Sequence, residues 1–375
     1  MASAAPIHLE TAQGRFQLRR YPARPGEPLQ AWCGADLLLA DAWRSRQVDR
    51  AATLVVNDEH GALSTIIVPA ALWTDSALAA TAARQNLRRN QRSQVPVIWS
   101  TRPPPAGLKL VLLRIPKQLA YFEHQLAVLQ SVLRPGAELV CSGMDKHLSP
   151  HTADMLERYF GPVTRHRGAR KARLFTAQAN AIPAKPVPAP SSYFCQPLDA
   201  ELHGHANVFS RDRLDMGSRF LMEQLATCSR VESLADLACG NGVLGLFAHR
   251  LGLCSQLTFC DESAMALESS RENAARLLPD TADIRFFHGD GLLDAPGPFD
   301  LILCNPPFHL GHTVDDFAGR RLLRQCADQL RPGGELYLVA NQHLPYENTL
   351  RRHFGQVEQV ARDRKFVIWR AGAVD

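Results

Sequence analysis

Leu234-Ala235-Asp236-Leu237-Ala238-Cys239-Gly240-Asn241-Gly242 is an apolar run that breaks into glycines and continues into Val243-Leu244-Gly245-Leu246-Phe247-Ala248. A short apolar run closed by turn residues reads as a buried strand, and the apolar stretch beyond it as the start of a helix. Glycines at such a turn let the backbone come close to a ligand, and the first turn of the helix offers unpaired N–H groups. Beyond this helix, Gln256 to Cys260 reads as a second strand and Ala264 to Leu277 as a helix. Ile284 to His288, Leu301 to Cys304, Glu335 to Ala340 and Phe366 to Trp369 read as further strands. Strands that alternate with helices predict a doubly wound, mostly parallel α/β sheet, with ligands bound at the carboxyl ends of its strands.

Those strand ends carry the chemistry. After the first come Asp236, Ala238, Gly240, Asn241 and Gly242; the second ends at Asp261, whose carboxylate can accept from two ribose hydroxyls; the third ends at Asp290, in position to meet an adenine. Three such signals at successive strand ends predict a nucleotide-type cofactor. The pattern is D-x-A-x-G-x-G and not the G-x-G-x-x-G of dinucleotide sites. The fourth strand runs into Asn305-Pro306-Pro307-Phe308. Proline has no N–H and a fixed φ, so two prolines stop the ladder and stiffen the corner. The corner holds the Asn305 amide oxygen and the Pro306 carbonyl as two acceptors, with the Phe308 ring beside them. That grouping suits the grip of a planar exocyclic amine whose ring stacks on Phe308, and Asn305 lies next to both amine and cofactor. The two acceptors favour a pyramidal nitrogen as it attacks an electrophile.

Composition bounds the partners. No apolar run approaches the roughly 18 residues of a membrane span, and Met1 to Pro6 has no charged segment followed by an apolar core. The nine cysteines are scattered without C-x-x-C, as reduced thiols in a cytoplasmic protein would be. The histidine pairs His203/His205 and His309/His312 lack further ligands at matching spacing, so no metal is expected. Net charge is +11 over residues 1–190 and −6 over 191–375, which suggests that the first half supplies affinity for phosphate. Within it, Arg165, Arg167, Arg170, Lys171 and Arg173 form a basic run that is a candidate RNA contact.

The halves follow one plan. Leu133-Arg134-Pro135-Gly136-Ala137-Glu138-Leu139-Val140 matches Leu330-Arg331-Pro332-Gly333-Gly334-Glu335-Leu336-Tyr337. Arg84-Gln85-Asn86 matches Arg271-Glu272-Asn273, His60-Gly61-Ala62-Leu63 matches Asn241-Gly242-Val243-Leu244, and Pro116 parallels Pro306. The expected organisation is a first domain over residues 1–181, a proline-rich linker over 182–195 and a second domain over 196–375. Ile115 and Lys117 flank Pro116 where Asn305 and Pro307 flank Pro306, and Asp58 and Glu59 stand at the glycine loop. The first copy is therefore expected neither to catalyse nor to bind cofactor.

The D-x-A-x-G-x-G loop, acidic second strand and N-P-P-F corner resemble class I S-adenosylmethionine-dependent methyltransferases. The resemblance implies two tandem Rossmann-like domains, the N-terminal one degenerate, with S-adenosylmethionine held by the loop, Asp261 and Asp290. The Tyr form of the corner is usual for adenine N6 and protein glutamine. Phe308 followed by His309 resembles the ribosomal RNA guanine-N2 enzymes. His205-Ala206-Asn207-Val208-Phe209-Ser210-Arg211, Leu214-Asp215-Met216-Gly217 and Ala340-Asn341-Gln342-His343-Leu344 are similar to the bacterial large-subunit branch of that family. So are Pro28-Leu29-Gln30-Ala31-Trp32, Asn57-Asp58 with Gly61-Ala62-Leu63-Ser64, and Arg170-Lys171-Ala172-Arg173-Leu174. In that family the segment around residues 208–217 covers the cofactor. The likeness implies N2 methylation of a 23S ribosomal RNA guanine, at position 1835. The rivals are a 16S guanine-N2 enzyme, an adenine or protein-glutamine methyltransferase, and a non-catalytic RNA-binding assembly factor.

Overall fold

The computed structural model describes residues 5–180, 182–307 and 317–374, which form two compact units, Met1–Ala189 and Pro190–Asp375. In the first, a hairpin of β1 (His8–Thr11) and β2 (Gly14–Gln17) leads to α1 (Gly34–Arg46). There follow β3 (Thr53–Val56), α2 (Ala62–Ile67), β4 (Ala71–Thr74), α3 (Ala77–Arg89), β5 (Val97–Trp99) and β6 (Leu110–Arg114). The unit closes with α4 (Leu119–Val132), β7 (Glu138–Met144), α5 (Thr152–Phe160), β8 (Thr164–Arg165) and β9 (Ala172–Gln178).

The second unit repeats the series: a hairpin of β10 (Ser191–Cys195) and β11 (Ala200–Gly204), then α6 (Met216–Leu225), β12 (Val231–Leu237), α7 (Val243–Arg250) and β13 (Cys254–Asp261). After α8 (Ala264–Leu277) come β14 (Asp283–His288), β15 (Phe299–Cys304), α9 (Phe317–Gln329), β16 (Leu330–Asn341), α10 (Tyr346–His353), β17 (Gln356–Arg362) and β18 (Phe366–Gly372).

Both seven-stranded sheets have one order, β5-β4-β3-β6-β7-β9-β8 and β14-β13-β12-β15-β16-β18-β17. Counted along each copy this is 3-2-1-4-5-7-6. The first five strands are parallel and the last two form an antiparallel hairpin inserted beside the fifth. Parallel strands are covered by helices on both faces, so they are apolar on both. In β15, Leu301 and Leu303 join the apolar cluster of one face, and Ile302 and Cys304 that of the other. Each such leucine or isoleucine, fully buried, is worth roughly 1.5–3 kcal/mol. The order reverses between β12 and β15, and the crevice this opens at their carboxyl ends is where α/β sheets bind ligands.

Two differences from the expected elements have local causes. Strand β16 begins at Leu330, five residues before Glu335, because Leu330 already pairs with Phe299 and the Pro332-Gly333 turn is absorbed as a bulge before Leu301 pairs with Glu335. Residues 183–190 have no regular structure, but residues 191–195, expected to end the linker, are strand β10 paired with β11. Among the described residues no helix is long and apolar enough to cross a membrane.

Candidate active site

The loop after β12 turns on three left-handed residues in five: Ala238 at φ 57°, Gly240 at φ 56° and Gly242 at φ 84°. Buried Asp236 holds the turn from beneath, its Oδ2 accepting from the Gly245 N–H at 2.8 Å. Burial pushes its carboxyl up to about 8, with the charge of Asp261 adding to the effect. A Cβ on Gly245 would lie 2.6 Å from the Phe259 ring and 3.2 Å from Asp236 Cβ, so a glycine here lets α7 lie against the sheet. A Cβ on Gly240 would meet nothing within 4 Å, so the loop backbone faces open space there.

Helix α8 pins the outer side of the loop. Ser270 Oγ donates to the Gly240 carbonyl at 3.0 Å, and Asn273 Nδ2 donates to the Asn241 carbonyl at 3.0 Å. Asn241 Nδ2 in turn donates to the Tyr193 hydroxyl oxygen on β10 at 3.1 Å. At the end of β13, Asp261 Oδ2 accepts from Gly240 N–H at 3.0 Å and Oδ1 from Ser263 N–H at 2.9 Å. These two bonds fix the orientation of the carboxylate at the strand end. The Gly289 N–H bonds the Asp261 carbonyl at 3.1 Å and sets the end of β14 alongside; the next residue, Asp290, is ion-paired with Arg321 of α9.

Leu237 pairs with Cys304, so Ala238 and Asn305 leave neighbouring strands side by side. The Asn305 amide is held through its nitrogen alone: Nδ2 donates to Asp215 Oδ2 and to Ser218 Oγ, each at 2.9 Å. Asp215 caps α6 by accepting from the Ser218 N–H at 2.8 Å. The Asn305 Oδ1 is buried and has no hydrogen-bond partner among the described residues. Pro306 is buried and Pro307 exposed; Phe308, with His309 and His312, lies outside the described residues. The site therefore presents an acceptor for an N–H group beside a glycine loop and the Asp261 carboxylate. Ser218, Tyr193 and Ser270 anchor these groups and were not singled out by the motifs; Asp215 falls in the quoted Leu214-Asp215-Met216-Gly217 stretch, as part of a segment over the cofactor and not as a partner of Asn305.

In the first unit the same positions hold different atoms. Asn57 at φ 59° and Gly61 at φ 73° reproduce Ala238 and Gly242, which fixes the equivalence of the two loops. Asn86 repeats the bonds of Asn273, donating to the His60 carbonyl at 2.8 Å and exchanging two bonds with Arg19 as Asn273 does with His203. Asp58 Oδ2 accepts from Ser64 N–H at 2.7 Å, the bond that Asp236 makes to Gly245, and burial with the charge of Asp36 pushes its carboxyl up to about 6.

The ligand-facing groups differ. Thr74, which pairs with Trp99 as Asp261 pairs with His288, stands at the position of Asp261. Leu113 pairs with Val56 as Cys304 pairs with Leu237, so Arg114, and not Ile115, is the counterpart of Asn305. The parallel between Pro116 and Pro306 is thus displaced by one residue. Arg114 is ion-paired with Asp36, the third residue of α1, as Asn305 bonds Ser218, the third of α6. Burial opposes the Arg114 charge, but Asp36, Cys33 and Glu59 raise its pKa, so a guanidinium fills the corner.

The basic run lies on the hairpin of β8 and β9. Arg170 at φ 55° and Lys171 at φ 58° form its two-residue tip, closed by the mutual bonds of Ala169 and Ala172 at 2.9 Å. Arg170 pairs with Asp41 at 2.7 Å and Arg173 with Asp145 at 3.1 Å, whereas among the described residues no ion pair reaches exposed Arg165, Arg167 or Lys171. The His205 ring pairs with Glu272 at 3.0 Å, and among the described residues no group of three or more metal-ligating side chains occurs.

A family model described as the RLMG N-terminal domain matches residues 6–181, and one described as the methyltransferase small domain matches residues 199–370. The ribosomal RNA large subunit methyltransferase G of Pseudomonas paraeruginosa is 41% identical over 369 residues, which cover 96% of this chain and 98% of that one. The protein of that name from Alcanivorax borkumensis is 40% identical over 374 residues, 95% of each chain. Among solved structures, the T. thermophilus 16S rRNA N2 G1207 methyltransferase in complex with AdoMet and guanosine matches with a TM-score of 0.77 over 98% of this chain and 97% of that one. Its sequence identity is 21%, so the likeness is one of fold.

Proposed function

The chain belongs to the ribosomal RNA large subunit methyltransferase G family, and from that membership we propose that it transfers the methyl group of S-adenosylmethionine to the exocyclic N2 amine of one guanine in 23S ribosomal RNA. The observation that carries the proposal is the Asn305 amide, anchored through Nδ2 with a buried Oδ1 left to accept. The residues present fit the cofactor. Gly240 turns its backbone to open space, and the Asp261 carboxylate, an acceptor of the kind that ribose hydroxyls need, is oriented at the end of the second strand. When bound, S-adenosylmethionine supplies an electrophilic methyl group on a sulfonium.

The chain supplies alignment and polarity. Asn305 Oδ1 and the Pro306 carbonyl accept the two N–H protons of the target amine. They draw its lone pair out of conjugation and point it along the line of displacement, which is where preorganised dipoles contribute most. Phe308 stacks on the base. The nitrogen becomes acidic once it carries the methyl, so the proton passes to solvent without a strong base. Guanine N2 faces the minor groove of a duplex, so the target is taken unpaired or flipped out.

The Arg114–Asp36 pair and Thr74 support a first copy without cofactor chemistry, whose contribution is to hold RNA. Nine free cysteines support a reducing, cytoplasmic setting. Within the basic hairpin the contacts fall to Arg165, Arg167 and Lys171, because Arg170 and Arg173 already have carboxylate partners. Reversing those three charges to glutamate lowers RNA affinity by at least about tenfold at low salt and flattens the salt dependence of binding by about two to three in logarithmic slope. Reversing Arg170 and Arg173 does less. Filter binding over a salt series reads both, and an unchanged slope for the first set removes the hairpin from the interface.

Methyl transfer from labelled cofactor to purified 23S and 16S RNA, followed by nucleoside digestion, tests the function itself. The expected product is N2-methylguanosine in 23S RNA. Label in 16S RNA or in N6-methyladenosine contradicts the proposal.

A further inference from the structure

We propose that Asp215 and Ser218 are positioning residues for the transfer: they decide which end of the Asn305 amide faces the target, and so restrict the site to groups that carry N–H. The inference rests on the amine-methylation reading above. The two ends of an amide have nearly the same shape, and their orientation is set by what each end can bond. Asp215 Oδ2 lies 2.9 Å from Asn305 Nδ2, and a carboxylate only accepts. Turning the amide over would bring the Asn305 oxygen against that carboxylate oxygen, acceptor to acceptor. Ser218 Oγ, at the same distance, adds a second acceptor to the same nitrogen. The outcome is the buried, unpartnered Oδ1. An N–H of an exocyclic amine satisfies it; a keto oxygen does not.

The first unit supports this division of labour. There too the start of the helix before the first strand reaches the residue that ends the fourth, through Asp36 to Arg114. The contact recurs in both copies, but only in the second does it leave an acceptor unspent. Asp215 also caps α6, so Asp215→Ala confounds two roles. Asp215→Gly separates them, because glycine at an N-cap costs little stability yet removes the acceptor; Asp215→Asn would not, since one oxygen, Oδ2, accepts from both the Ser218 N–H and the Asn305 amide.

The test compares the full-length chain with Asp215→Gly, Ser218→Ala, the double variant and Asn305→Ala. The readouts are melting temperature, S-adenosylmethionine affinity, and kcat and KM for RNA. The expected result for Asp215→Gly is a melting temperature lowered by at most about a few degrees, cofactor affinity within about twofold, and kcat lower by about tenfold to a hundredfold, the range a misaligned reacting group costs. Ser218→Ala loses less, and the double variant loses more than either. Wild-type kcat in the double variant overturns the proposal, as does a loss of activity that follows a loss of cofactor affinity, which would make Asp215 a cofactor contact. If Asn305→Ala is inactive while the double variant is normal, only the positioning role falls. If Asn305→Ala turns over normally, the reading of the site falls with it.

Discussion

Asn305→Ala lowers methyl transfer by about a hundredfold to a thousandfold, the cost of removing one preorganised group from the atoms that change charge, and leaves S-adenosylmethionine affinity within a few-fold of wild type. The separation follows from where the two functions are attached. The groups proposed to hold the cofactor belong to the loop after β12 and to Asp261, and their anchors are Ser270, Asn273 and the Gly240 N–H. Asn305 is anchored elsewhere, on Asp215 and Ser218 at the start of α6. Removing its side chain takes away the acceptor for the amine and leaves the loop bonds in place. Asn305→Asp is also impaired, because a second carboxylate then stands against Asp215. Single-turnover transfer, read beside calorimetric titration of the cofactor, checks both halves of the expectation. A variant that loses rate and affinity together would assign Asn305 to the cofactor.

Asp261→Ala has the opposite signature: the dissociation constant for S-adenosylmethionine rises by about a hundredfold or more. Hydrogen bonds to a charged acceptor contribute about 1.5–3 kcal/mol each, and about 1.4 kcal/mol is a factor of ten, so losing two ribose contacts costs two decades or more. The loop suffers too, since the Gly240 and Ser263 N–H groups lose their acceptor. Asp261→Asn keeps an oxygen for one of those donors and falls between the two. At saturating cofactor the rate of Asp261→Ala recovers much of its wild-type value, because the amine-binding corner is untouched.

The fold was legible because its signals are local and strong. Buried parallel strands are apolar on both faces, so Leu234 to Leu237 and Leu301 to Cys304 stand out, and the glycines after the first mark the turn; α8 spans Ala264–Leu277 as its pattern predicts. The tandem copies were legible through short matches, and the bonds of Asn86 and Asn273 explain why those two asparagines recur: each ties a loop carbonyl to the preceding hairpin segment. What escaped was set by pairing at long range. Proline at Pro116 invites alignment with Pro306, but strand register counts from Val56 and Leu237 and puts Arg114 at the corner. Asp215 lies 90 residues from the amide it holds, and Asp41 lies 129 from the arginine it neutralises. Neither distance leaves a spacing to read.

A chain built twice on one plan is proposed to work through one site, the second. Calorimetric titration of the full-length chain with S-adenosylmethionine tests this most directly. One cofactor per chain is expected, with binding weakened about a hundredfold by Asp261→Ala and unchanged by Arg114→Ala. Two cofactors per chain, or one whose affinity survives Asp261→Ala, would contradict it.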